Sequence, residues 1–188
     1  LVAWSAQPAA GGRSTVQAAC GTGNGRFTAT RTVSGADEDA FTPAAAQSAG
    51  GALVAWRSDQ GDQHHVRAAL RQRDGSFTPP ADVSQSSSSV FVDPSVAMAP
   101  SGDAVAAWTT TRGQDLVAQA ASLPVGGQWS RADDLSRPGA VARGAQVAVD
   151  RSGNAAATWV RGGVVQAALR TAGQPWAAPA DLSGGDGA

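Results

Sequence analysis

The chain has 188 residues with 14 basic and 15 acidic side chains and a formal net charge of −1, so no basic field is present to hold a polyanion and nucleic-acid binding is disfavoured. Cys20 is the single cysteine, which removes an internal disulfide and any cysteine-based metal cluster. No apolar run approaches the ~18–20 residues that span a bilayer, and the 42% hydrophobic fraction comes mainly from Ala and Val.

In chain order the first apolar run is LVAW (1–4), which ends on Trp4. It returns as ALVAW (52–56), AVAAW (104–108) and AAATW (155–159), so Trp4, Trp56, Trp108 and Trp159 stand 52, 52 and 51 residues apart. A fixed period of this length through a whole chain marks a repeat architecture. Three of the runs follow a turn, in QSAGGALVAW (47–56), APSGDAVAAW (99–108) and DRSGNAAATW (150–159). Gly50, Gly102 and Gly153 share a column there and are expected to supply the positive φ of a hairpin turn. The preceding runs SVAMA (95–99) and QVAVD (146–150) read as first strands, and the Trp runs as second strands.

Third strands follow as VQAAC (16–20), VRAAL (66–70), AQAAS (118–122) and VQAAL (165–169). Eleven residues after each start stands an aromatic: Phe27, Phe77, Trp129 and Trp176. Six residues further comes an aliphatic followed by Ser: Val33-Ser34, Val83-Ser84, Leu135-Ser136 and Leu182-Ser183. Each repeat is therefore four short strands, a to d, and no stretch has a helical period. The spacing from Trp to third strand varies as 12, 10, 10 and 6 residues, and that from the last aliphatic to the next turn as 14, 16 and 15. In an up-down-up-down sheet the b–c and d–a links leave from one end, so variation gathers on one face and fixed turns on the other.

Four-stranded sheets stacked radially make a β-propeller, with blades numbering about four to eight. The pattern resembles a bacterial β-propeller repeat array over the whole chain, which implies an all-β fold with approximate blades 1–40, 41–91, 92–143 and 144–188. It lacks the Trp-Asp and Gly-His pairs of WD40 repeats and the Gly-Gly and Tyr spacing of kelch. DRSGNAAATW has a likeness to the sialidase Asp-box, Ser-x-Asp-x-Gly-x-x-Trp, but Asp150 precedes the Ser and gives way to Gln47 and Ala99 in sister repeats, so turn chemistry accounts for it. About ten residues join the last aliphatic to Trp4 around the termini, where 23 to 25 join interior repeats, so one blade lacks its first strand. About 3.7 repeats imply a partial or small propeller, an excerpt of a larger one, or subunits that complete one another across open blade edges. The absence of an initiator Met and of a signal-peptide pattern agrees with an excerpt or a processed product.

Candidate site residues fall on the variable face. They are Asp37 and Asp39 in a d–a link, Asp59, Asp62 and His64 in a b–c loop read as RSDQGDQHH (57–65), Asp93 one blade on, and Arg112 and Asp115 in TTTRGQD (109–115). They are expected to bind a protein or glycan ligand, since rigid scaffolds present sites on their loops. His64-His65 offers two metal ligands where zinc takes three or four, and Asp37–Asp39 lacks calcium-loop spacing, so neither metal nor cofactor is expected. Nucleophile elbow, phosphate loop and paired acid–base carboxylates are missing. Cys20 shares a column with Leu70, Ser122 and Leu169 and is expected to be a buried small hydrophobe. The expected function is a non-enzymatic binding or scaffold module at the cell surface or outside the cell. The alternatives are a self-assembling structural repeat and, last, a glycoside-active propeller enzyme.

Overall fold

The computed structural model describes residues 1–8, 11–85 and 93–184. The Ser run 86–89 and the end of the GGDGA tail (185–188), both expected to be connections, lie outside the described residues. All the regular structure described is β, in four antiparallel sheets whose strands follow chain order. The first sheet has three strands, β1 (Val2–Ala6), β2 (Thr15–Ala19) and β3 (Arg31–Thr32). The second has β4 (Asp39–Ser48), β5 (Gly51–Gln60), β6 (Gln63–Arg71) and β7 (Ala81–Asp82). The third has β8 (Ser95–Met98), β9 (Ala104–Arg112), β10 (Asp115–Leu123) and β11 (Asp133–Asp134). The fourth has β12 (Ala142–Val149), β13 (Ala155–Arg161), β14 (Val164–Arg170) and β15 (Ala180–Asp181). These are propeller blades, and the first lacks the innermost strand that the others have.

Each sheet packs on the next through one apolar cluster. The first meets the second through Val16, Ala18 and Val33 against Ala40, Val54, Trp56 and Ala69. The second meets the third through Leu53, Ala55, Val66 and Val83 against Ala106, Trp108 and Ala121. The third meets the fourth through Val105, Ala107 and Leu135 against Ala145, Ala157 and Trp159. Ala and Val fill these seams because each sheet is covered on both faces and only small side chains permit close approach. Trp56, Trp108 and Trp159 are fully buried in them, so the recurring indole is a packing group, and removing one costs about 3–5 kcal/mol.

The recurring Ser and Thr have a hydrogen-bonding reason. The outermost strand makes only two ladder pairs in each sheet. Hydroxyls complete what the ladder leaves open. Ser34, Ser84, Ser136 and Ser183 Oγ accept from the amides of Val16, Val66, Ala118 and Val165 at 2.8–3.0 Å. Thr28, Thr78 and Ser130 do the same for Cys20, Leu70 and Ser122 at 3.0 Å. An otherwise orphaned amide is thereby satisfied on each third strand.

The turns at the uniform end differ from expectation in one respect. Gly102 and Gly153 adopt positive φ (101° and 83°), but in the second sheet Gly51 does so and Gly50 does not. Its hairpin pairs Ser48 with Gly51, one residue tighter than its sisters. Gly50 is needed for contact instead: a Cβ there would lie 2.3 Å from Gly102 N and 2.6 Å from Pro100 O. Ser48 Oγ donates to Ala99 O at 2.8 Å beside it. The turns of the second and third sheets thus touch backbone to backbone, which leaves no room for an inserted residue at that contact.

Cys20 is half-buried rather than buried, because it lies on the outer part of the first sheet beside Thr28 and Phe77. Its column opens toward the perimeter, where Leu169 is exposed as well.

Candidate functional site

The b–c segments of the second and third sheets are not loops. Arg57–Gln60 and Gln63–His65 continue the β5–β6 ladder to Gln60↔Gln63, leaving Gly61 and Asp62 as the turn. The third sheet does the same to Arg112↔Asp115, around Gly113 and Gln114. Beyond the Trp rung these hairpins have four pairs, whereas the fourth sheet has only Val160↔Val165 and Arg161↔Val164. The four extra residues are thus two extra rungs, projecting about 7 Å further at ~3.4 Å per residue. Gly61, Gly113 and Gly162 close the turns with φ near 60°. Length variation has been absorbed as rigid ladder because residues added in pairs preserve register.

On the second sheet three expected residues fall in one cross-strand row, Asp39↔Asp59↔His64. Asp59 Oδ1 lies 2.7 Å from His64 Nδ1, and Arg57 donates to both Asp59 oxygens at 2.9 and 2.6 Å. Burial works against the Asp59 charge, but the hydrogen bonds and charges of Arg57 and His64 outweigh it and hold the carboxyl below its usual range. Arg57 also lies over the Phe41 ring, 5.8 Å from its centroid. Asp39 accepts from Ser14 N at 2.7 Å and lies 3.7 Å from Arg13, so it ties the first sheet to the second. Asp37 is exposed and accepts from Gln60 Nε2 at 3.1 Å, and Asp62 is exposed at the hairpin tip.

His64 and His65 do not act as a pair. Consecutive strand residues point to opposite faces: His64 meets Asp59, and His65 is buried opposite Ser58. Among the described residues no group of three His, Cys, Asp or Glu side chains is arranged to hold a metal. On the third sheet Arg112 pairs with Asp134 at 3.1 Å and Asp115 Oδ2 accepts from Gly139 N at 2.8 Å. Those two brace the hairpin to its neighbours. Asp93 is exposed, two residues before the start of β8.

The support beneath the row was not anticipated from the sequence. Glu38 is fully buried between Asp37 and Asp39. Its Oε2 accepts from Trp56 Nε1 at 3.3 Å and lies 3.2 Å from Arg67 Nη1, while Oε1 accepts from Gly35 N at 2.5 Å. Arg67 Nε lies 3.0 Å from Asp82 Oδ1, close enough for an ion pair although its N–H is not aligned as a hydrogen bond. Gly35 leaves the space for these carboxylates, since a Cβ there would meet Asp37 Oδ1 at 2.7 Å. The d–a link is therefore anchored to the core tryptophan by a buried charge. A signal was present: Arg67 stands where Gln17, Gln119 and Gln166 stand in the other repeats, so a charge replaces an amide one position from the acidic run's reach.

No family model and no curated protein matches the chain. Among solved structures it is similar to a glycosyl hydrolase from Bacteroides ovatus, at 15% identity and a TM-score of 0.49, over 76% of this chain and 49% of that one. The chain thus spans about half of that protein's length. No helix among the described residues is long and apolar enough to cross a membrane.

Proposed function

We propose that the chain is a non-enzymatic binding module that recognises a protein or glycan with the protruding rim of its second and third sheets. The single observation behind this reading is the pre-organised row Asp39–Asp59–His64, flanked by exposed Asp37 and Asp62 and held by Arg57 at Asp59 and by Ser14 at Asp39. Carboxylates held by neighbours lose little rotamer freedom on meeting a partner, which lowers the entropic cost of association. Asp59 is engaged by Arg57 and His64, and Asp39 by Ser14 and Arg13, an arrangement suited to recognition more than to proton transfer.

A glycan array and a pull-down comparing the wild type with D37A/D62A test this. The expected result is a ligand lost by the rim variant and retained by D74A, which alters an exposed turn at the opposite end. Retention by D37A/D62A, or hydrolytic turnover in a glycoside screen, overturns the reading.

A further inference from the structure

We propose that the seam between the third and fourth sheets holds a receptor pocket for the carboxylate of a glutamate side chain on a partner polypeptide. The pocket has a volume of about 270 Å³ and is lined by Arg137, Arg161, Gln166, Ala178 and Pro179. These residues belong to the fourth sheet and to the link that leads into it. The site is separate from the acidic row of the second sheet and does not depend on it.

The first seam shows what such a place holds. There the Glu38 carboxylate is buried against Trp56 Nε1, Arg67 Nη1 and Gly35 N. The third seam repeats those positions with different side chains. Gln166 stands opposite Trp159 as Arg67 stands opposite Trp56. Arg137 follows Ser136 as Gly35 follows Ser34, and both serines accept from a third-strand amide. By pairing, Ala140 replaces Glu38 and Arg161 replaces Ser58. The internal carboxylate is thus gone, while two arginines stand where the first seam has Arg67 alone.

Those two cations are not neutralised within the fold. Neither Arg137 nor Arg161 makes an ion pair among the described residues. Arg161 is already oriented, since its Nε donates to Arg137 O and its Nη2 to Pro138 O, both at 3.0 Å. Its Nη1 is left to a ligand, as is the Arg137 guanidinium. Gln166 accepts from Trp159 and gives one amide hydrogen to Asp181, which leaves the second. Asp181 is held in that bond and Asp115 in one from Gly139 N, so neither neutralises the pocket. Guanidinium donors bind carboxylate strongly, and an anion between two of them offsets their mutual repulsion.

The surroundings favour a polypeptide as the carrier of that carboxylate. A groove of about 450 Å³ shares Arg137, Ala178 and Pro179 with the pocket and adds Pro138, Pro175 and Trp176. A channel with proline and aromatic walls suits an extended backbone. Two acids also line it, but Asp134 is paired with Arg112 and Asp133 is attracted to Arg170. Glu38 reaches its own site from a connecting segment, which is the reach a glutamate on a passing chain would need.

A nuclear magnetic resonance titration with an acetylated, amidated pentapeptide carrying one central glutamate tests this. It is read at the Arg161 Nε–H and the Gln166 side-chain amide, where a saturable shift is expected. The same peptide with glutamine is expected to bind at least about tenfold more weakly. R137A removes an exposed side chain that bonds nothing in the chain itself, so it keeps the wild-type melting profile and weakens the peptide about tenfold. A140E supplies the carboxylate from within, as Glu38 does, and is expected to abolish the shift. The rim variant D37A/D62A is expected to bind the peptide as the wild type does. No saturable shift, equal binding of the glutamine peptide, indifference to R137A, or a folded A140E chain that still binds overturns the proposal. Glucuronate binding as tightly as the glutamate peptide overturns the polypeptide as occupant and assigns the pocket to an acidic glycan.

Discussion

Trp56 in the second sheet and Trp159 in the fourth occupy the same register, opposite a bulge in the innermost strand, yet their indole N–H groups are satisfied differently. Trp159 donates to Gln166 Oε1 at 3.0 Å, and Gln166 in turn donates to Asp181 at 2.7 Å, all within one sheet. Trp56 donates to Glu38, which comes from the link between sheets and is paired with Arg67. The amide solution is local, with a neutral group at the indole. The ionic one ties a connection to the core. A buried ion pair adds little net stability over a neutral substitute but is costly to break on one side. Here it joins the link before β4 to Trp56 in β5 and Arg67 in β6.

The largest effect expected from this contrast is that of E38A. Removing one partner leaves Arg67 with Asp82 alone and Trp56 Nε1 unpaired, which costs about 3 kcal/mol, the lower end for a broken buried pair. At this chain length that lowers the thermal midpoint by about 6–12 °C. The double variant E38A/R67Q reproduces the set found in the fourth sheet, where Ala140 and Gln166 occupy the corresponding positions. It is expected to return to within about 1.5 kcal/mol of the wild type by denaturant titration. A double variant as unstable as E38A would break the equivalence of the two sheets.

The bulges sharpen the same comparison at smaller scale. Thr42 and Gly144 are equivalent by pairing, and both have positive φ, 47° and 64°. A left-handed residue at a bulge suits Gly, whereas β-branched Thr is strained there by about 1–3 kcal/mol. Thr42 is held by its amide, which donates to Ser5 Oγ at 3.1 Å across the first seam, a bond independent of its side chain. T42G is therefore expected to raise the denaturant midpoint by about 1 kcal/mol equivalent, and G144T to lower it by about 1–3 kcal/mol. Equal and opposite shifts are not required, since Gly gains freedom in the unfolded chain.

Period, strand order and the incomplete first sheet were legible because they rest on spacing, and spacing survives in side chains that must pack or clamp: the Trp, the aromatic, the aliphatic and its Ser. The rim was legible as a place and not as a structure. RSDQGDQHH looks polar and loop-like because the alternation of a strand end at a solvated hairpin carries no apolar signal, and only the even difference of four residues from the fourth repeat betrays extra rungs. The buried role of Glu38 was hidden for a related reason. Within Asp-Glu-Asp nothing local separates the acid that turns inward from the two that turn out, and the partner that decides it is 29 residues away at Arg67. Gly50 misled because contact with a neighbouring turn and a demand for positive φ leave the same residue in the sequence.

The smallest expected effect concerns the rim row itself, which the fourth sheet lacks. The Asp59 carboxyl is held below its ordinary range in the folded chain, while in the unfolded chain it titrates in that range, so its ionised form stabilises the fold. That contribution is complete above the unfolded value and is lost as pH falls through the folded one. Because the row is partly open to solvent, the gain is at most about 1 kcal/mol. D59N should therefore be less stable than the wild type at pH 7 by up to that amount, and the gap in urea midpoint should narrow as pH falls below about 4. A gap unchanged from pH 7 to pH 3 would mean that Asp59 supports the hairpin by shape alone, and the second sheet would then differ from the fourth in length but not in electrostatic construction.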